Sequence, residues 1–475
     1  MATTTPSLDL DKVEHFQHQL VGELGAAFSS VLIRIGDRLG LYRALGDSRP
    51  VTPTELAART DLAERYVREW LHNQAAAGWV TYDPETGTFT LPPEHALLVA
   101  DEEAPTFMLG GFECVASAWA DEDTIAEAFR TGEGIGWHQH DHRLFSGTER
   151  FFRPGYRASV VDDWVPALDG VAARLEQGAR VADVGCGHGA ATIMIGQAWP
   201  NAEVVGFDYH DGSIAAARAR AADAGVGDRV TFEVAGAKDF PGTYDLVCMF
   251  DCLHDMGDPV GAARHVREAL NPGGTVLVVE PAAADRPEDN HHPLGRLMYA
   301  ASTMFCTPAS LHDDGGLGLG NQVGVARLTE LLTQAGYSSV RLATSTPLQP
   351  RARGAGVGPR GSRRRRGRPG AAAPAWLQWA RCPHRARRAG PQTWPWTGPD
   401  AVAAWVNATD VVQATRARPT AASVRPSTCR RAARIPPACG TIAAGNGPRG
   451  VGQKSAVSTA SFTVLPPKRV KSNKK

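Results

Sequence analysis

An α/β fold with an open, Rossmann-like sheet is what this chain predicts, preceded by a mostly helical winged-helix domain and followed by a basic low-complexity C-terminal tail. Three observations carry that expectation. Residues 180–208 read as strand, glycine turn, helix and strand: an apolar stretch ending at Asp183, then Gly185, Gly187 and Gly189, a helical run over 190–199, and a second strand over 203–207 closed by Asp208. That is one βαβ unit, and open parallel sheets bind ligands outside the carboxyl ends of their strands. Residues 52–91 carry two helices and a turn, then two short strands. Finally, charge divides the chain: residues 351–475 hold 25 of the 50 Lys and Arg but only Asp400 and Asp410 of the 50 acids, a net of +23, which leaves −23 for residues 1–350. An acidic body and a basic, acid-poor tail are two different materials.

Residues 1–105 open with helices. Phe28, Val31, Leu32, Ile35 and Leu39 share one helical face, and such a stripe is buried against its own domain or against a second subunit. Thr52 or Thr54 can cap a helix carrying Leu56 and Ala57, and a second helix over 64–77 stops at Gly78. Strands over 79–82 and 88–91 then flank a hairpin turn. A DNA-reading helix needs Arg, Lys, Asn and Gln. The second helix offers Arg65, Arg68, Asn73 and Gln74, but also Glu64 and Glu69 within a strongly negative body. Nucleic acid is therefore not the expected partner, because affinity for it rests on phosphate neutralisation.

Residues 106–170 read as a helical linker or lid. His138, His140 and His142 alternate there, but no helical i,i+4 pair or fixed supporting partner accompanies them. No metal site is expected. Phe151, Phe152, Tyr156 and Trp164 either cover a cofactor or pack in a core. The chain has no uninterrupted apolar run of 18 residues, no signal-peptide layout at its N-terminus, and eight cysteines without a CxxC pair. A cytoplasmic protein with free thiols and no membrane partner is expected.

Charge at the glycine turn separates two kinds of ligand. A dinucleotide brings a pyrophosphate to the helix N-terminus, and Asp183 just before the glycines would repel it. S-adenosylmethionine has no phosphate, and its sulfonium and ammonium outnumber its one carboxylate, so an acid beside the turn suits it. Asp208, about 20 residues on, is placed to accept hydrogen bonds from ribose hydroxyls.

The stretch DVGCGHG (183–189) with GFD (206–208) resembles the cofactor motif of class I S-adenosylmethionine-dependent methyltransferases. FFRPGY (151–156), FDCLHDMGDPVGAARHVREAL (250–270) and YAASTMFCTPASL (299–311) are similar to stretches of a bacterial methyltransferase family with an N-terminal winged-helix region. The likeness covers residues 10–347 or so. It implies a cofactor-binding domain over 171–347, a homodimer formed through the N-terminal helices, and cofactor contacts at Asp183, Gly185, Cys186, Gly187, Asp208, Tyr209, Ala237, Lys238 and Asp251. Many class I enzymes use an acid where Gly236 stands here to bind the adenine amine. CLHDM resembles the CHDW-type segment of small-molecule O-methyltransferases, in which the counterpart of His254 is the base. Asp255 follows it, and Glu280, at the end of a strand over 275–279, would orient it. The other reading is that His254 and Asp255 cap a helix or merely line the pocket. The acceptor implied is a small aromatic or polyketide-like hydroxyl compound, met by an apolar pocket from residues 294–320. The alternative function is a winged-helix regulator that senses the methyl donor.

The resemblance also requires a helix over 325–335, a strand over 340–344 and an antiparallel seventh strand lying centrally between the two strands before it. Residues 346–354, with Pro347 and Pro350, cannot be that strand. A permitted set of codons from Leu348 onward encodes an apolar strand when read one base later, so a frameshift near Pro347 is inferred. Residues 348–475 are then expected to be a disordered basic tail, with two sheet edges left unpaired.

Overall fold

The computed structural model describes residues 8–345 and 409–415. The expectation for the rest of the tail lies outside the described residues. The N-terminal region opens with α1 (Leu10–Arg38), capped by Asp9, whose carboxylate accepts the Lys12 N–H at 3.3 Å. There follow α2 (Leu41–Ala44), α3 (Pro53–Thr60), α4 (Glu64–Ala76), the antiparallel hairpin of β1 (Thr81–Asp83) and β2 (Thr88–Thr90), and α5 (Pro93–Val99). Thr52 and Glu55 form a reciprocal capping box at the start of α3, the side chain of each accepting the other's backbone N–H. Tyr42, Leu45, Leu56, Leu71 and Phe89 make the core of this region.

The apolar stripe of α1 is not buried within the chain. Phe28, Val31, Ile35 and Leu39 are exposed, as are Val13, Phe16, Leu20, Val21 and Leu24 before them, while Ile33 and Gly36 form the inward face. The four DNA-reading candidates on α4, Arg65, Arg68, Asn73 and Gln74, are occupied within the domain. Arg65 pairs with Glu69 and Arg68 with Glu64; Asn73 donates to Ser29 Oγ at 3.1 Å, and buried Gln74 accepts the Tyr42 hydroxyl at 2.7 Å.

Helices α6 (Gly110–Ala120), α7 (Glu122–Thr131) and α8 (Arg143–Ser159) follow, the last running into a π-helical turn, Val160–Trp164. α6 and α8 pack closely because Gly110 carries no side chain: a Cβ there would lie 2.5 Å from the Phe151 nitrogen. The three alternating histidines diverge. His138 is exposed, His140 is buried with Nδ1 3.0 Å from Asp121, and the His142 side chain is 88% exposed.

After α9 (Val171–Glu176) comes a seven-stranded sheet of β3 (Arg180–Val184), β4 (Glu203–Asp208), β5 (Val230–Val234), β6 (Tyr244–Phe250), β7 (Leu270–Pro281), β8 (Ser339–Ser345) and β9 (Thr409–Thr415), in the order β5-β4-β3-β6-β7-β9-β8. The pairs among β3 to β7 are parallel, and their side chains alternate between two cores. Val181, Val204, Leu246 and Leu277 face one, and Ala182, Val247, Val276 and Val278 the other. The helices α10 (Ala190–Ala198), α11 (Asp211–Asp223), α12 (Pro259–Glu268), α13 (Pro293–Ala301), α14 (Thr307–His312) and α15 (Gly324–Gln334) complete the domain.

The seventh strand corrects one expectation. The place between β7 and β8 is filled: Thr409–Thr415 lies antiparallel to both, pairing Val412 with Val278 on one side and Leu342 on the other. Directly after β8, where family order would put this strand, prolines forbid it. An alternating segment more than 60 residues later takes the place, with Val411 in one core and Val412 and Ala414 in the other. The fit is imperfect. Gln413 is buried and its Oε1 has no hydrogen-bond partner.

Candidate active site

The glycine turn between β3 and α10 bends as its sequence requires. Gly185, Gly187 and Gly189 have φ of 75°, 52° and 78°, the left-handed region that side chains disfavour. A Cβ on Gly185 would meet Cys252 Sγ at 2.8 Å. The turn opens onto a cavity of about 600 Å³ at the carboxyl ends of the strands. Asp183, Gly185, Cys186, Gly187, Asp208, Tyr209, Ala237, Lys238 and Asp251 all line it, so the structure brings together every residue the sequence assigned to the cofactor.

Among the described residues, the cavity wall carries nine carboxylates, from Asp and Glu side chains, and one lysine, Lys238. Two of these carboxylates are unusual. Asp183 is 1% exposed; Oδ2 accepts the Thr192 hydroxyl at 2.5 Å while Oδ1 has no partner. Asp251 has φ of 48°, rare for a residue with a side chain; Oδ2 accepts the Tyr156 hydroxyl at 2.7 Å and Oδ1 is again without a partner. Burial pushes the carboxyls of both Asp183 and Asp251 up to about 7. A cation placed against the two bare oxygens supplies what is missing, whereas a pyrophosphate would add charge of the wrong sign. Asp208 uses its carboxylate partly on the protein: Oδ2 takes the Gly187 N–H and Oδ1 the His210 N–H, both at 2.9 Å. Asp239 turns back on the Gly236 N–H at 2.8 Å, which holds the loop beside Ala237 and Lys238.

A second polar group lies where β6 and β7 end. His254 sits in a single helical turn, Leu253–Asp255, and is 3% exposed. Its Nδ1 is hydrogen-bonded to Glu280, which also accepts the backbone N–H of Leu253 and of His254. Its Nε2 lies 3.2 Å from Asp255 Oδ1. Burial alone would lower the imidazole pKa, but Glu280 and Asp255 reverse that and hold it well above the ordinary value. The structure thus brings His254, Asp255 and Glu280 together as a line, with Asp255 on the cavity wall and His254 behind it. One participant escaped the sequence reading, and a second was named only as an aromatic ring that covers a cofactor or packs in a core. Cys306, the last residue of a π-helical turn Ser302–Cys306, lies against both His254 and Asp255. Tyr156 reaches Asp251 from the lid helix α8. The aromatic composition of the stretch 151–156 flagged Tyr156, but nothing in the sequence joined Cys306 to a histidine 52 positions away.

Fold and site together define a class I methyltransferase domain behind a winged-helix region. Residues 182–276 match the "Methyltransferase domain" family and residues 27–100 the "Rv2258c-like winged HTH domain". The methyltransferase domain takes S-adenosylmethionine as its cofactor, and the unpaired oxygens of Asp183 and Asp251 fit that cation. Among solved structures, mitomycin 7-O-methyltransferase is 21% identical with a TM-score of 0.50, over 71% of this chain and 96% of that one. An O-methyltransferase family protein from Burkholderia thailandensis is 18% identical with a TM-score of 0.51, over 71% and 95%. At that identity they show the fold.

Curated relatives include an uncharacterised Synechococcus protein, 31% identical over 112 residues, 23% of this chain and 27% of that protein. The 27-O-demethylrifamycin SV methyltransferase of Amycolatopsis mediterranei is 30% identical over 150 residues, 30% of this chain and 55% of that protein. The O-demethylpuromycin-O-methyltransferase of Streptomyces alboniger is 27% identical over 350 residues, 70% and 87%. The first two are thus matched over about a quarter and about half of their own lengths. Among the described residues no helix is long and apolar enough to cross a membrane.

Proposed function

We propose that this chain is an S-adenosylmethionine-dependent methyltransferase that methylates a hydroxyl group of a small molecule, working as a cytoplasmic homodimer. The observation that carries the reading is the pair of buried aspartates, Asp183 and Asp251, each with one oxygen that has no hydrogen-bond partner, on the wall of a cavity whose turn is built of left-handed glycines. The names of relatives that act on rifamycin and puromycin precursors support a small-molecule hydroxyl as acceptor. The exposed apolar face of α1 supports the dimer, and the five described cysteines, all free thiols, support a reducing compartment. The regulator alternative loses ground because the four DNA-reading candidates on α4 are engaged within their own domain.

When bound, S-adenosylmethionine would supply an electrophilic methyl group for transfer to the acceptor oxygen, held by the residues that line the cavity. The chain's own residues hold the reactants and take the proton. Asp183 and Asp251 fix the charged end of the donor, and Tyr156 ties the lid helix to Asp251. Alignment and exclusion of water account for a large part of the acceleration available to such a displacement. The hydroxyl proton leaves toward the Asp255 carboxylate at the cavity wall, with the His254 imidazole behind it and Glu280 holding that imidazole in place. The test is methyl transfer from labelled donor to a panel of phenols. His254→Ala and Glu280→Gln are each expected to lower kcat by about 10²–10⁴-fold while donor binding persists. Wild-type turnover in both variants would remove the proton-accepting role.

A further inference from the structure

Three side chains of different chemistry converge at the edge of the cavity. The ligand atoms of His254, Asp255 and Cys306 all lie within 4.8 Å of one another. We propose that they form a binding site for a divalent metal of the zinc type. The proposal concerns the same site as the methyl-transfer reading but does not depend on it.

One nitrogen, one oxygen and one sulfur form a set that suits a borderline-soft ion with tetrahedral preference. Their spacing is right for it. Metal–ligand bonds of about 2.0–2.3 Å put tetrahedral ligands roughly 3.3–3.8 Å apart; His254 Nε2 and Asp255 Oδ1 are 3.2 Å apart, and Cys306 Sγ lies within 4.8 Å of both, so a small side-chain shift completes the set. The support behind the three is also in place. Glu280 accepts a hydrogen bond from His254 Nδ1, which directs Nε2 at the cluster, the arrangement that fixes ring orientation in metal-bound histidines. Glu280 is itself held by two backbone N–H groups. Buried Asn321 donates its amide to Cys306 Sγ at 3.5 Å, which fixes the position of the sulfur. Asp255 Oδ1 accepts no hydrogen bond.

The backbone points the same way. Cys306 closes a π-helical turn, Ser302–Cys306, an irregularity found disproportionately at functional sites. Three protein ligands leave a fourth position for water or another donor, and Asp255 places the site next to the cavity wall. A hydroxyl bound at that position would have its pKa lowered.

The test uses the full chain, dialysed against chelator and titrated with Co(II) and then Zn(II). The expected result is one Co(II) per chain with a thiolate-to-cobalt charge-transfer band that Zn(II) displaces. The band is absent in Cys306→Ser and His254→Ala and retained in Cys114→Ser, a cysteine that instead contacts Thr148. Glu280→Gln, which keeps all three ligands, weakens affinity by about 10–100-fold. Melting temperature and S-adenosylhomocysteine binding report whether each variant is folded. Should Cys306→Ser unfold, Asn321→Ala is expected to shift the same band. A wild-type chain that takes up no stoichiometric metal, or a band that survives Cys306→Ser, overturns the proposal. Methyl transfer is read from product, so failure of either reading is seen separately.

Discussion

At the scale of single residues, Asp183 sets the character of the donor site. Burial raises its carboxyl from 3.8 to about 7, so the folded chain without donor keeps a proton that the unfolded chain has released. The sign follows from that. Stability falls as pH rises from the unfolded value toward 7, and the loss is complete above it. The melting temperature of the donor-free protein should therefore decline between pH 5 and pH 8, and Asp183→Asn should flatten the decline. Binding has the opposite slope, because a cation needs the ionised carboxylate. Affinity for S-adenosylmethionine should rise by up to about tenfold per pH unit below 7 and level off above it. Calorimetric titration across that range checks it, and a pH-independent affinity would refute the role of Asp183.

Among the elements, β9 and α1 carry the most informative departures from the sequence reading. The Thr409–Thr415 strand occupies a central position, yet it buries Gln413 with an unbonded amide oxygen opposite Leu277. Leaving such a group unpaired costs about 1–3 kcal/mol. Gln413→Leu should consequently raise the melting temperature. Val412→Asp, which buries a charge in a strand paired on both sides, should lower it severely. Unchanged melting in both would mean that the strand does not sit in the sheet in solution. On α1, Phe16, Val21, Leu24 and Phe28 are all exposed, and contiguous apolar surface of this kind marks an interaction face. Light scattering on Phe16→Glu with Leu24→Glu should show loss of a dimer, and a wild-type chain that is already monomeric would contradict that assignment.

Across the whole molecule, what could be read from the sequence was what depends on local pattern. The βαβ unit was legible because a glycine turn between two acid-ended strands constrains its own geometry, and the winged-helix region because its caps and hairpin are short-range. The pairing of Glu280 with His254 was anticipated only through the family resemblance, since 26 residues separate them. What stayed hidden needed three dimensions. Cys306 joins the histidine through packing of one helix against a strand end. The exposure of the α1 stripe depends on which face the rest of the domain covers. The seventh strand could not be placed because the order of elements, correct up to β8, gave no reason to search far beyond it.

The account rests on a cavity chosen for a positively charged sulfur donor. The most direct measurement is calorimetric titration of the full chain with S-adenosylhomocysteine, in competition with S-adenosylmethionine and in parallel with a nicotinamide dinucleotide. One site per chain for the sulfur compounds, lost in Asp183→Asn, and no uptake of the dinucleotide is the predicted result. Saturable binding of the dinucleotide with none of the sulfur compounds would contradict it.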